Sequence, residues 1–256
     1  MISVIKVGGA VVEDSAQLAI LLDEFVKVEG PKVLVHGGGR TATQLATKLG
    51  IESKMVGGRR ITDSDMLRIV TMVYGGLVNK NIVAQLQARG VNALGLTGAD
   101  MNIVQAHRRP ITPEGIDFGY VGDVDDADGE RIQQLLQNGI TPVIAPLTHD
   151  GKGNMLNINA DTMAQTAAVA LSSVSVGDVS LTYCFELPGV LRDANNPDSL
   201  ISIISESDFK KLVTDGTISG GMIPKLENAF SALHAGVSSV RITNIQDLQG
   251  GTLICK

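Results

Sequence analysis

Tryptophan is absent from the 256-residue chain, aromatic residues make up 3% of it and histidines number four. That argues against a surface that stacks nucleic-acid bases, since such surfaces are built on aromatic rings. No basic run stands out, and 21 basic against 27 acidic residues leave a net charge of −6. Phosphate neutralisation, the main source of nucleic-acid affinity, therefore has no footprint. The longest apolar runs, such as residues 141–147, fall far short of the ~18 residues that a membrane span requires. No basic stretch followed by a long apolar one marks a signal peptide. The two cysteines, Cys184 and Cys255, match no zinc or redox spacing and suit a reducing cytoplasm. Two nucleotide fingerprints are missing as well, G-x-x-x-x-G-K-[ST] and G-x-G-x-x-G, so any nucleotide is held by another arrangement.

Glycine is plentiful, with 29 residues, often paired or tripled, and the 44% hydrophobic content supplies a core. Short β-branched runs alternate with segments of helical period. Residues 2–7, 33–35, 91–96, 141–146, 179–185 and 240–243 read as strands. Residues 15–26, 41–49, 64–89, 130–137, 160–171, 205–213 and 222–235 read as helices, with Asp14 or Ser15 and Asp63 or Ser64 as caps. Residues 101–128 carry a weak signal of short strands and loops. This alternation predicts a mainly parallel sheet covered on both faces. One continuous domain over 1–256 is expected, with approximate lobes of 1–172 and 173–256.

Three glycine clusters sit at strand ends or a helix start: Gly8-Gly9, Gly37-Gly38-Gly39 and Gly220-Gly221. Each alone is ordinary turn chemistry. Together they suggest an anion cradle, because ligands in open α/β sheets bind at the carboxyl ends of strands and free N–H groups attract phosphate. Two lysines break local rules beside those loops. Lys6 lies inside the first strand, where a charge is expensive to bury unpaired; taken alone, an outward-facing edge lysine is the simpler reading. Lys225 lies on the first turn of the last helix, where the macrodipole disfavours cations. A phosphate between them would relieve both penalties. Asn157, Asn159 and Asp161 alternate; as a strand they would share one face, or they cap a helix beginning at Ala160.

These residues carry a resemblance. In chain order stand Ile5-Lys6-Val7-Gly8-Gly9, Val35-His36-Gly37-Gly38-Gly39, Gly58-Arg59-Arg60-Ile61-Thr62, Val78-Asn79-Lys80, Gly95-Leu96-Thr97-Gly98, Gly119-Tyr120-Val121-Gly122, Leu156-Asn157-Ile158-Asn159-Ala160-Asp161 and Gly220-Gly221-Met222-Ile223-Pro224-Lys225. The ordered set resembles the amino-acid kinase superfamily, and within it the acylglutamate kinase branch. The resemblance implies a three-layer α/β/α sandwich around a mainly parallel open sheet. It implies ATP-dependent phosphorylation of the side-chain carboxylate of an N-acylglutamate, N-acetyl-L-glutamate foremost, in arginine biosynthesis. Lys6 and Lys225 would flank the transferring phosphoryl group and Asp161 would hold their ammonium groups. Gly38, Gly39, Arg60, Asn157 and Asn159 would bind the acid, with Arg60 on its α-carboxylate. Gly8, Gly9, Glu186, Leu187, Gly189, Ser219, Gly220 and Gly221 would bind the nucleotide. Mg²⁺ would arrive on the ATP phosphates, and no dedicated metal ligand is named. A carboxylate nucleophile is already ionised at pH 7, so no general base is needed, and positioning plus charge neutralisation suffice.

Two departures stand out. Where relatives carry Thr-Asp-Val or Ser-Asp-Val before a glycine, this chain has Phe185-Glu186-Leu187-Pro188-Gly189. Arg59 precedes Arg60 where an uncharged residue is common; it could pair with a second carboxylate, as in an N-succinyl substrate, or face solvent. The chain begins almost at its first strand, without the extra N-terminal helix of arginine-inhibited hexameric relatives. A cytoplasmic, arginine-insensitive homodimer is therefore expected, with the helix around 69–86 as its interface and no nucleic-acid or membrane partner. Alternatives are a sibling kinase acting on carbamate, glutamate, aspartate or uridylate, and a nucleotide-binding regulator without catalysis.

Overall fold

A computed structural model describes residues 1–193, 195–220 and 222–256. Eight strands form its main sheet. Their spatial order is Ile203–Ser205, Thr252–Cys255, Ser239–Thr243, Val179–Cys184, Ile2–Val7, Lys32–His36, Thr141–Ile144 and Ala93–Leu96. Every pairing is parallel except Ser239–Thr243 with Thr252–Cys255. The first strand is thus central, paired on one side with the second strand and on the other with a strand from the C-terminal half. Chain order reverses there, which is where ligand crevices open in such sheets.

Side chains alternate between the two faces, as a pleated strand requires. Val4, Val33, Val35, Leu181 and Tyr183 belong to one apolar core, and Ile5, Val7, Leu34 and Cys184 to the other. Helices Gly129–Gln137, Ala160–Val174, Glu206–Thr214 and Met222–His234 cover the first face. Gly9–Glu13, Ser15–Lys27, Gly39–Lys48, Ser64–Val70 and Asn79–Gln87 cover the second. The molecule is the α/β/α sandwich that its alternation predicts. No helix among the described residues is long and apolar enough to cross a membrane.

Local chemistry sets the helix starts. Asp14 Oδ1 accepts from the N–H groups of Ala16 and Gln17 at 2.9 and 3.0 Å, and Asp63 Oδ1 from Met66 N at 2.8 Å. The long helix after Asp63 is not uniformly α-helical: residues Thr71–Val78 widen into a π-helix. The Asn157–Asp161 run also departs from a single extended face. Only Asn157 lies in a strand, Met155–Asn157. Asn159 caps the Ala160–Val174 helix, its Oδ1 accepting from Asp161 N at 2.7 Å and Thr162 N at 3.2 Å. Capping wins because two otherwise unpaired N–H groups are satisfied by one side chain.

The weakly patterned stretch contributes to a second sheet, ordered Met155–Asn157, Leu147–His149, Val104–Arg108 and Gly122–Ala127. Its acidic strand Gly122–Ala127 is stabilised by cross-strand partners. Arg109 donates from Nε to both Asp123 oxygens at 3.0 and 3.1 Å, and His107 Nδ1 sits 2.6 Å from Asp125 Oδ1.

Candidate active site

Two glycine turns meet at the carboxyl ends of the central strands. Gly8 and Gly9 follow Ile2–Val7; Gly37, Gly38 and Gly39 follow Lys32–His36. They touch backbone to backbone. A Cβ on Gly37 would lie 2.9 Å from Gly9 N, and one on Gly9 would lie 3.3 Å from Gly38 N. A Cβ on Gly38 would meet the Tyr74 ring at 3.0 Å, which ties the π-helical segment to the turn. Only glycine allows this spacing, so the turns are built for close approach and not merely for reversal.

A buried polar network backs the second turn. The fully buried His36 ring bonds Gly37 O through Nδ1 at 2.8 Å, and its Nε2 lies 3.0 Å from Asn79 Nδ2. Asn79 Nδ2 also donates to Val143 O at 2.9 Å. Burial is the main force that lowers the His36 pKa to about 4, and the Lys80 charge adds to it. The neutral ring is therefore the folded-state form. Above pH 6.5 both folded and unfolded chains carry it neutral. As pH falls from 6.5 towards 4, the unfolded chain binds a proton that the folded chain refuses, and stability drops. The expected loss approaches roughly 3 kcal/mol near pH 4. Urea midpoints at pH 7 and pH 5 should show this fall in the wild type and a shallower one in His36→Gln; identical falls would contradict it.

Lys6 faces the core that carries the Ala160–Val174 helix. It is 7% exposed, and its Nζ lies 2.8 Å from Asp161 Oδ1. The expectation of an outward-facing edge lysine fails because the first strand lies in mid-sheet and because the buried charge has a carboxylate partner. Asp161 stands on the first turn of its helix, where the macrodipole favours an anion. Lys225, on the first turn of Met222–His234, joins the same group. Burial lowers its pKa, with the Asp161 charge opposing that shift and the Lys6 charge adding to it. Phe185 contacts both lysines: its ring centroid is 5.0 Å from Lys6 Nζ and 3.7 Å from Lys225 Nζ.

Two cavities flank this cluster. One, about 470 Å³, is bordered by Lys6, the Gly37–Gly39 turn, Arg60, Asn157, Asn159 and Asp161. The other, about 630 Å³, is bordered by Gly8, Gly9, Cys184, Phe185, Leu187 and Lys225, with Glu186 and Gly189 also on its wall. Gly9, Gly39 and Arg60 line both. Arg60 is 9% exposed. Its Nη2 donates to Gly39 O at 2.8 Å and Thr43 Oγ1 at 2.9 Å, and its Nη1 to Ser53 Oγ. All are neutral acceptors, and no ion pair of Arg60 is found among the described residues. A buried cation without a counter-charge favours an anionic guest. Asn157 Nδ2 is engaged with Thr62 Oγ1 at 3.0 Å.

The sequence-derived candidates divide accordingly. Lys6, Asp161 and Lys225 come together, and Gly38, Gly39, Arg60, Asn157 and Asn159 gather around the smaller cavity, although the Asn159 side-chain oxygen is committed to its cap. Gly8, Gly9, Glu186, Leu187 and Gly189 share the larger cavity. Ser219 and Gly220 lie outside both linings, and Gly221 lies outside the described residues. Arg109, Asp123 and Tyr74 line the smaller cavity, and Met222, Arg40 and Thr43 the larger, without having been singled out from sequence. Arg59 also borders the smaller cavity, so it does not point wholly away from Arg60. Among the described residues, no group of three or more His, Cys, Asp or Glu side chains could hold a metal ion.

A central parallel sheet with lysines and glycine turns at its switch point defines a class of open α/β protein that binds an anionic ligand there. Residues 1–244 match the Amino acid kinase family, and the chain belongs to that family. Among its relatives, the acetylglutamate kinase of Bacteroides fragilis is 58% identical over 257 residues, covering 100% of this chain and 97% of the relative. That of Bacteroides thetaiotaomicron is 60% identical over 242 residues, covering 94% and 93%. Among solved structures, smu.665 from Streptococcus mutans UA159 is 31% identical, with a TM-score of 0.77 over 99% of this chain and 98% of that one. An N-acetylglutamate synthase from Neisseria gonorrhoeae, complexed with coenzyme A and N-acetyl-glutamate, shares the fold. It has a TM-score of 0.81 at 23% identity, over 100% of this chain and 59% of that one.

Proposed function

We propose that this protein is an acetylglutamate kinase: it transfers the γ-phosphoryl group of ATP to the side-chain carboxylate of N-acetyl-L-glutamate, a step of arginine biosynthesis. The observation that carries this reading is the placement of Lys6 and Lys225 around Asp161, at the border of two cavities of suitable size. The names of the full-length relatives support it. The acid lies in the smaller cavity with its α-carboxylate on Arg60. The triphosphate lies along the Gly8-Gly9 turn from the larger cavity. The division is therefore an acid lobe over residues 1–172 and a nucleotide lobe over 173–256.

The residues then act by position and charge. The acid's side-chain carboxylate is the nucleophile and needs no proton removed. Backbone N–H groups of the two glycine turns and both ammonium groups take up the negative charge of the transferring group, where preorganised donors act most strongly. Asp161 pairs with Lys6 at 2.8 Å and holds its ammonium group in place. Mg²⁺ would come bound to ATP and would offset phosphate charge; no residue of this chain is assigned to hold it. A cytoplasmic homodimer joined across the helix from residue 64 to 87 completes the reading; Met72 and Leu77 are exposed apolar side chains there. Sedimentation at twice the chain mass supports it, and hexamers contradict it.

ADP release from purified protein with Mg-ATP tests the activity. N-acetylglutamate, N-succinylglutamate, glutamate, aspartate and carbamate are offered separately. Turnover is expected with N-acetylglutamate and not with the three unacylated acids; ATP binding without turnover on any acid would favour a non-catalytic regulator. Because Arg59 borders the acid cavity, Arg59→Leu should lower any use of N-succinylglutamate, whose acyl group adds a carboxylate, at least tenfold more than use of N-acetylglutamate. Equal effects on the two would place Arg59 in solvent.

A further inference from the structure

Phe185 occupies a position that the phosphotransfer reading leaves unexplained. Its ring lies against both ammonium groups at once, 5.0 Å from Lys6 Nζ and 3.7 Å from Lys225 Nζ. The two lysines border different cavities, Lys6 the smaller and Lys225 the larger. Besides the Asp161 carboxylate, then, an aromatic face is what the two cations share.

The ring is held from behind. Tyr183 stacks on it with centroids 6.0 Å apart and planes 12° from parallel. Tyr183 is itself 2% exposed and is the strand partner of Lys6. The Phe185 backbone is anchored through its N–H to Thr243 O at 2.7 Å. Phe185 also borders a third cavity of about 740 Å³, where Val11, Ile20 and Ile245 stand among polar side chains such as Glu13, Gln17 and Asn244.

We propose that Phe185 is a positioning residue that sets nucleotide affinity: its ring holds Lys6 and Lys225 by cation–π contact and so competes with a triphosphate for the same two ammonium groups. This rests on the kinase reading of the same site. An ammonium over an aromatic face is attracted to the ring quadrupole, more strongly when partly desolvated. A triphosphate has to replace that attraction before it gains its own. The native ring therefore weakens nucleotide binding while helping Asp161 keep two like charges in place.

The test is calorimetric titration of the full-length protein with Mg²⁺ and the non-hydrolysable analogue AMP-PNP, beside steady-state kinetics with ATP. Phe185→Leu keeps bulk and removes the quadrupole; Phe185→Tyr keeps an aromatic face. Phe185→Leu should bind the analogue about tenfold tighter and show a lower KM for ATP, with kcat changed much less. Phe185→Tyr should stay within twofold of wild type. Should Phe185→Leu fold poorly, Phe185→Met is read by the same criteria. Unchanged or weaker analogue binding by a folded Phe185→Leu or Phe185→Met would overturn the inference and leave the kinase reading intact. Failure of the wild type to bind the analogue at all would overturn both.

Discussion

Lys225→Ala is expected to lower kcat by about a hundred- to a thousandfold, and Lys6→Ala by at least as much. Removing one preorganised donor from a developing charge has effects of this size in other enzymes, and each tenfold step corresponds to about 1.4 kcal/mol of barrier. The two should differ in kind. Lys6 is buried and paired with Asp161 at 2.8 Å, so its loss also frees that carboxylate to repel an incoming phosphate. ATP affinity should therefore fall in Lys6→Ala as well as kcat. The double variant should be little worse than either single one, because groups acting on one transferring phosphoryl are not additive. Steady-state kinetics with acid and ATP varied separately reads all of this. Either single variant within tenfold of wild type would remove that lysine from the chemistry.

The second large effect lies in the glycine turns. Gly37→Ala places a Cβ 2.9 Å from Gly9 N and 3.3 Å from Gly9 Cα. Both opposing atoms are backbone, so no side chain can swing aside and one turn must move. The expected cost is about 1–3 kcal/mol, or a melting point lower by about 2–10 °C for a chain of this size. Activity should fall further than stability suggests, since a displacement near 1 Å at the reacting groups costs on the order of a hundredfold. Gly177→Ala is the control: a Cβ there meets nothing within 4 Å and the backbone requires no positive φ. A Gly37→Ala protein with native melting point and native turnover would show that the two turns need no such contact.

Much of this site is legible in the chain because it consists of local rule-breaking. A lysine inside a β-branched strand, a lysine on a helix's first turn and glycines after strands each contradict what packing alone would select. Asn159 is left by the sequence between a strand face and a helix cap, and the structure makes it the cap. What is not legible depends on contacts across the fold. The strand Gly122–Ala127 looks like a loop because its acids find Arg109 and His107 only after the sheet forms. The π-helical widening at Thr71–Val78 leaves no periodic trace because that segment is apolar almost throughout. Phe185 is visible as an unusual residue near Gly189, but its place over two lysines from distant segments is a tertiary fact.

The proposed kinase transfers its phosphoryl group to the side-chain carboxylate of the acid at the Lys6–Asp161–Lys225 cluster. Hydroxylamine trapping during turnover with Mg-ATP and N-acetylglutamate tests this, with the hydroxamate located by mass spectrometry. A hydroxamate on the side-chain carboxyl is expected, formed in step with ADP by the wild type and reduced at least a hundredfold in Lys6→Ala and Lys225→Ala. ADP release with no hydroxamate, or a hydroxamate yield unaffected by both substitutions, would contradict it.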